Sequence, residues 1–335
     1  MKRKLITLEA IAEYKNLILA FHKAAKGKRF RQDVHVFLQH FDTNLNQLGE
    51  DIRQAKLPYG KYRVFQIFDP KKRLIHAACF ADRIFHHALM NLAGEALEKA
   101  MMPSSYACRP NKGVHKAVQK VQLYLRQFLY YGKIDIAGYF ASINHQRLLQ
   151  TLLNRFKGEE IIKQLERVIN SHQASLQYGL PIGSLTSQYF ANYYLDGLDR
   201  FLAGLTTVRA QVRYMDDIIW WCDCKQDVQA TLKKVIHWLQ TQRGLQVKST
   251  VQIQSSKQGV TYCGFRILPG VIRLSRRRKR RYQHRRQFWE QCYLQQQISA
   301  RQLQTAYAAV HAITVGTDSH AWRLENLLRH PPLDV

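Results

Sequence analysis

Between Val212 and Trp221, two apolar runs rich in β-branched and aromatic residues close on a pair of adjacent acids, Asp216 and Asp217. Strand-forming runs with a short polar break predict a β-hairpin with the two acids at its turn. A turn that needs only polarity is usually met by Asn, Gly or Ser, and neighbouring carboxylates repel. A solvated acidic turn is the plain reading. Ligands for a hard cation explain why both positions are acidic. A second apolar strand, Lys133-Ile134-Asp135-Ile136, is also interrupted by one acid. A carboxylate there is costly unless an Arg partner or a metal compensates it.

The chain has 335 residues, 46% of them hydrophobic, enough for a substantial core and two or three subdomains. It carries 51 Lys and Arg against 24 Asp and Glu, a formal net charge of +27. Such a surplus calls for a polyanion, nucleic acid first and an anionic membrane surface second. No segment approaches the ~18 apolar residues of a spanning helix, so no membrane is expected. The first 31 residues show no apolar signal core, and six cysteines are too sparse for a disulfide framework. Cys222 and Cys224 have no second Cys or His pair nearby at ligand spacing, so free thiols in a reducing cytosol are expected.

Helical periodicity runs over 7–25, with Thr7 as N-cap, and again over 34–52, before Pro58 and Gly60 break it. Residues 62–68 alternate as a strand, Asp69-Pro70 makes a turn, and Lys71-Lys72-Arg73-Leu74-Ile75 starts the return. Cations near that tip either discourage edge pairing or grip phosphate. Helices are expected over 82–99 and 114–128, with a loop over 104–113. Two more lie within 148–170, split at Lys157-Gly158. Gly179-Leu180-Pro181-Ile182-Gly183-Ser184 is a glycine-rich loop opening a helix at Leu185, suited to phosphate or to a closely packed base pair. A helix over 228–240 follows the acidic hairpin, and 245–251 leads into a second hairpin-like unit over 260–267. Arg273 to Arg286 holds nine Lys or Arg in fourteen positions, a density often found in disordered tails. Tyr282, Phe288, Trp289, Tyr293 and Leu294 continue at helical spacing, which predicts a basic helix docked on a phosphate backbone. Helices over 299–313 and 320–328 complete a small cap.

Four motifs stand in order along the chain. They are Ile134-Asp135-Ile136-x-x-Tyr139-Phe140-x-Ser142-Ile143, Gly179-Leu180-Pro181-Ile182-Gly183-x-x-x-Ser187-Gln188, Tyr214-Met215-Asp216-Asp217 and Tyr262-Cys263-Gly264-Phe265. Each is ordinary alone. Together, at these intervals, they resemble the motifs of reverse transcriptases over about residues 60 to 270. The resemblance implies an α+β fold of right-hand polymerase architecture, with fingers, a palm of antiparallel sheet plus helices, and an α-helical thumb. It implies an N-terminal helical extension over 1–58, fingers over 59–132 and a first palm part with connecting helices over 133–183. A second palm part with the primer grip follows over 184–270, and a basic helical thumb over 271–335.

The same resemblance implies site roles. Asp135, Asp216 and Asp217 are the expected catalytic acids, and Lys248 resembles the lysine that protonates the departing pyrophosphate. The implied metal site is Asp135, Ile136, Asp216 and Asp217, holding two Mg²⁺ ions or Mn²⁺. Two-metal phosphoryl transfer sets its ions roughly 3.5–4 Å apart, so acids from separate strands must converge. Phe140 resembles the steric gate against a 2′-hydroxyl. Lys72 and Arg73 resemble the fingers cations on the incoming dNTP, with Ile182 and Gly183 beside it. Tyr262, Cys263, Gly264 and Phe265 resemble the primer grip. Arg276, Arg277, Arg278, Lys279, Arg280 and Arg281 are expected on nucleic acid.

Most reverse transcriptases carry Gln-Gly in the glycine loop, followed by Ser-Pro. Here Ile182-Gly183 and Ser187-Gln188 stand in those places, a pattern similar to the enzymes of diversity-generating retroelements. That resemblance implies copying of a template-repeat RNA into cDNA with errors opposite adenine, then mutagenic retrohoming, in the cytoplasm of a bacterial host. Its implied partners are the RNA, the cDNA and a small basic accessory variability determinant protein that assembles as a helical barrel. An apolar Ile182 removes a polar contact beside the base pair, so a mispair leaves fewer groups unsatisfied. The alternatives are a retron, phage-defence or group II-like bacterial reverse transcriptase and, in another class, a non-catalytic RNA-binding protein on the same fold. Clustered acids with no metal to compensate them argue against the last.

Overall fold

A computed structural model describes residues 3–68 and 72–333. The N-terminal part contains β1 (Lys4–Leu5), α1 (Leu8–Ala12), α2 (Tyr14–Ala25), α3 (Gln32–Gln39), α4 (Phe41–Arg53), β2 (Tyr62–Phe68), β3 (Lys72–Ala78) and α5 (Phe80–Ala100). Then come α6 (Val114–Gln127), β4 (Tyr130–Asp135), α7 (Tyr139–Ser142), α8 (His145–Leu153), β5 (Phe156–Lys157), α9 (Glu159–Asn170), α10 (Leu185–Tyr194) and α11 (Asp196–Ala203). The remainder is β6 (Ala210–Tyr214), β7 (Asp217–Cys222), α12 (Lys225–Trp238), β8 (Gln252–Ser255), β9 (Val260–Tyr262), β10 (Phe265–Ile267), β11 (Ile272–Leu274), α13 (Arg276–Leu294), α14 (Ala300–His311) and α15 (His320–Arg329). Two interleaved units share these elements: Met1–Arg109, Asp135–Leu202 and Lys233–Ser249 in one, and Pro110–Ile134, Ala203–Leu232 and Thr250–Val335 in the other.

In the first unit α5 is the central helix. Ile84, Phe85, Ala88, Leu89, Ala93 and Leu97 are fully buried, and α2, α4 and α10 pack around it. Thr7 caps α1, its hydroxyl accepting the Ala10 N–H at 3.2 Å. The helix expected over 7–25 is broken at Glu13, where ψ swings to 130°. The break leaves the Ile11 carbonyl without its helical donor. Asn16 Nδ2 supplies one at 2.9 Å and also reaches the Ala88 carbonyl at 3.1 Å, tying the break to α5. The helix expected over 34–52 is likewise broken, at His40. Between α8 and α9 lies β5, paired in parallel with β1, which the sequence reading placed in no strand. The β2–β3 hairpin pairs Tyr62 with Ala78 through Phe68 with Lys72. The expected turn at Asp69-Pro70 and the cation Lys71 lie outside the described residues.

The second unit is built on a four-stranded sheet in the order β6-β7-β4-β8, with β6–β7 and β4–β8 antiparallel. Alternation along β7 does not produce a wet face. Ile218, Ile219, Trp220, Trp221 and Cys222 are all buried: α6 packs on β6, and Val228 and Thr231 of α12 reach Gly132 and Cys222. The Tyr124 ring of α6 lies 5.2 Å from that of Trp221. Gly132 of β4 makes room for Trp220: a Cβ there would stand 2.4 Å from Trp220 Cζ2 and 2.8 Å from Val228 Cγ1. Strands β9, β10 and β11 form a separate antiparallel meander. The helices α13 to α15 follow, and a Ser299–Gln302 capping box starts α14.

Among the described residues no helix is long and apolar enough to cross a membrane. Replacing Gly132 with Ala forces the Trp220 indole off its site and should lower unfolding free energy by about 1–3 kcal/mol in urea titration. An unchanged midpoint would show that the indole is not held there.

Candidate active site

The hairpin at the acids is one residue out from the expected register. Tyr214 pairs with Asp217, so the two-residue loop is Met215-Asp216 and Asp217 is the first residue of β7. Met215 sits at φ 58°, a left-handed conformation that costs a non-glycine residue about 1–3 kcal/mol. Two features offset that strain. The Met215 side chain is buried, and the fully buried Arg213 donates from Nη1 to the Met215 carbonyl at 3.2 Å. Asp216, the second loop residue, is half-exposed.

Asp217 is engaged from two directions within its unit. Lys133 Nζ lies 3.3 Å from Asp217 Oδ1, and the Tyr262 hydroxyl donates 2.9 Å to the Asp217 carbonyl. Lys133 also sits 5.8 Å from the centre of the Tyr262 ring. Burial, then the neighbouring Cys263 and Asp217, pushes the Tyr262 phenol well above its ordinary range, so it stays a donor. The loop joining β9 to β10 is Cys263-Gly264, with φ of 48° and 81°. Positive φ at both central residues is the sign pattern of the tight hairpin turns that match strand twist. Arg278 of α13 ties this loop down, donating to the Cys263 carbonyl at 3.3 Å with its guanidinium 3.9 Å from the Phe265 ring centre. The tetrad expected as a primer grip thus joins the acidic turn to the basic helix.

Asp135, the last residue of β4, belongs to the first unit by its contacts. Lys248 Nζ donates to Asp135 Oδ1, and the Lys248 N–H donates to the Asp135 carbonyl at 2.8 Å. An Ile136–Val247 bridge and an Ala137 N–H to Gln246 carbonyl bond of 2.8 Å hold the two segments together. Phe140 is half-buried, its carbonyl accepting the Leu180 N–H at 2.8 Å. Gly183, at φ 114°, does serve a close approach, and what approaches is β3. A Cβ would meet Ile75 Cγ2 at 2.9 Å, and the His76 N–H donates 2.9 Å to the Ile182 carbonyl.

The cations expected on substrate are not equivalent. Lys72 and Arg73 are both exposed, opposite Phe68 and Ile67, and strand alternation points them to opposite faces of the hairpin. Arg73 shares its face with Ile75, the residue packed on Gly183. On α13, Arg276, Arg277 and Arg280 are exposed and Arg281 is half-buried, but Arg278 covers Phe265 and Lys279 lies 5.1 Å from the Trp322 ring. Two residues escaped the sequence reading. Lys133 lies two positions before Asp135 on an apolar strand, a signal that was there to be read. Arg213 lies inside an apolar run and carried no separate signal.

The donor set is carboxylate oxygen, which fits a hard divalent cation. Asp217 is paired with Lys133 and Asp135 with Lys248, and among the described residues no three acids, histidines or cysteines are gathered as a metal cage. At either carboxylate a cation would take the place of its lysine, a long side chain able to swing away.

A sheet of this kind, with acids at a strand end and at a hairpin turn, defines a palm of the right-hand polymerase fold. Telomerase from Candida tropicalis, in complex with a TWJ fragment of telomeric RNA, aligns with a TM-score of 0.50. The alignment covers 81% of this chain and 55% of that one at 14% identity, and supports that fold. Residues 60–267 match the family described as reverse transcriptase (RNA-dependent DNA polymerase), and the chain belongs to that family. Its relatives include group II intron-type proteins. The putative COX1/OXI3 intron 2 protein of Saccharomyces cerevisiae is 22% identical over 58% of this chain. The group II intron-encoded protein LtrA of Lactococcus lactis subsp. cremoris is 23% identical over 40% of it. The chain spans 24% of the length of each. Reverse transcriptases use divalent metal ions.

Tyr262→Phe deletes the donor to the Asp217 carbonyl and should cost about 1–2 kcal/mol in urea unfolding. A variant as stable as the parent would remove this bond from the account.

Proposed function

We propose that the chain is an RNA-directed DNA polymerase. The observation that carries the proposal is the tight turn that presents Asp216 and Asp217 at the edge of a buried sheet, in a chain of the reverse transcriptase family. In this reading residues 1–58 are a helical extension, 59–132 fingers, 133–183 and 184–270 the two palm parts, and 271–335 the thumb.

Asp135, Ile136, Asp216 and Asp217 would hold the metal, two Mg²⁺ ions or Mn²⁺ in their place. When bound, such ions activate the primer 3′-hydroxyl and stabilise the charge that develops on the departing pyrophosphate. The chain supplies the remainder. Lys133 and Lys248 counter the charges of Asp217 and Asp135, and Lys248 would give a proton to the departing pyrophosphate. Phe140 excludes a 2′-hydroxyl, and Arg73 is on the hairpin face that meets the glycine loop. Tyr262 to Phe265 hold the primer end, and the exposed Arg276, Arg277 and Arg280 meet phosphate.

The finer reading is a diversity-generating enzyme. It copies template-repeat RNA with adenine-directed errors for mutagenic retrohoming, alongside an accessory variability determinant protein, in a bacterial cytoplasm. Ile182 and Gln188 support it. The group II intron-type relatives favour a second reading, a group II-like bacterial reverse transcriptase.

Primer extension on poly-rA and oligo-dT with Mg²⁺ tests the activity. Asp216→Asn should reduce synthesis by about 10³-fold or more while RNA binding survives. Equal loss of RNA binding would mean that the residue is structural. Ile182→Gln should lower misincorporation opposite adenine by about tenfold in sequenced cDNA if the diversity-generating reading holds. An unchanged error spectrum favours the group II-like reading.

A further inference from the structure

A cavity of about 200 Å³ in the first unit is lined by α2, the start of α5 and the loop that opens α10. Its wall is cationic. Lys23, Lys28 and Arg83 line it, and among the described residues the carboxylate paired with them is Asp33, 2.6 Å from Arg83 Nη2. Three cations less that carboxylate leave a formal +2. Burial first, then Arg83 and Arg31, lowers the Lys28 ammonium, and Asp33 opposes the shift only in part.

Two nitrogens of the residues that line this cavity are buried and have no hydrogen-bond partner among the described residues. His86 lines it and is 2% exposed; its Nδ1 lies 3.4 Å from Ser184 Oγ, while Nε2 has no hydrogen-bond partner among the described residues. Arg83 Nε is in the same condition. Burial, then His87, lowers the His86 imidazole to about 4, so the ring is neutral at pH 7 and offers one N–H. The ten-residue helix α10 begins here, and the side chain of its N-cap Ser184 accepts no backbone N–H of the first turn. Its hydroxyl is turned instead toward Thr186 Oγ1 at 2.9 Å. Gly183 and Ser184 bring backbone to the cavity without bulk. Helix N-terminus, cations and an unused buried N–H are together the requirements of an anion site.

We propose that this cavity binds a phosphate monoester dianion, carried on the 5′ end of an RNA strand or free in solution. A terminal phosphate carries about −1.5 to −2 at neutral pH, which matches the cavity. A backbone diester carries half of that and leaves a lysine uncompensated. The proposal does not rest on polymerase activity, because binding here needs neither primer nor metal.

The experiment uses the whole protein, a 3′-labelled RNA decamer with a 5′-phosphate or a 5′-hydroxyl, and fluorescence anisotropy at fixed ionic strength without divalent metal. Isothermal titration with inorganic phosphate runs in parallel. The expected result is about tenfold tighter binding of the 5′-phosphorylated strand, lost in a Lys23→Gln, Lys28→Gln double variant that melts at the parent temperature. His86→Gln, which keeps a donor, should retain part of the preference. Inorganic phosphate that binds the parent and not the double variant, with no preference between strands, assigns the cavity to free phosphate. Equal affinity for both strands with no phosphate binding overturns the proposal. So does a preference that the double variant keeps. Either result leaves the polymerase reading standing, since primer extension is measured separately.

Discussion

Carboxylates at the end of a buried apolar sheet are costly to hold, and much of the architecture around Asp135 and Asp217 answers that cost. Each acid is met by a lysine from its own unit, Lys248 and Lys133 respectively. Both lysines are themselves part-buried, at 32% and 16% side-chain exposure, so the pairs are worth more than surface bridges. The pairs give each of these two carboxylates a counter-charge without a metal. They also explain how the acids can be released to one, because an ammonium on four methylenes is a mobile counter-ion.

The geometry that presents the acids is held from beneath. Arg213 spends a fully buried guanidinium partly on the Met215 carbonyl, at the strained residue of the turn. Tyr262 reaches the same hairpin from β9, and Arg278 fastens the next turn to α13. Gly132 and Trp220 set how closely β4 and its neighbour pack. Acidic turn, β9–β10 hairpin and basic helix therefore form one connected set of contacts within the second unit. The first unit has its own equivalent, in which Gly183 and Ile182 dock the glycine loop on the β2–β3 hairpin.

How much of this was legible depended on the range of the interaction. Periodicity located most helices and the three hairpins, because those patterns repeat within a few residues. The breaks at Glu13 and His40 carry no Gly or Pro, and the contact that supports the first comes from Ala88, far along the chain. The β1–β5 pair is two residues long, below any periodic signal. The acidic turn was displaced by one residue because turn statistics favour Asp over Met, whereas strand register put Met215 in the loop. The acids could be named from sequence, but their lysines could not be assigned from spacing alone. Charge density marked α13 as basic without separating Arg278, stacked on Phe265, from the exposed Arg276. Such distinctions depend on packing between distant segments.

In the proposed reading Asp135 and Asp216 each contribute to divalent-cation binding, and Lys248 counters the charge of Asp135 until a cation is bound. The direct measurement is Mn²⁺ uptake, followed by loss of the free-ion electron paramagnetic resonance signal. It is made with the whole protein, an RNA template, a dideoxy-ended primer and the matching dNTP. The account predicts that the parent protein takes up two ions beyond those held by nucleotide and nucleic acid alone, and that Asp135→Asn and Asp216→Asn each lose them. Uptake by both variants equal to that of the parent would contradict it.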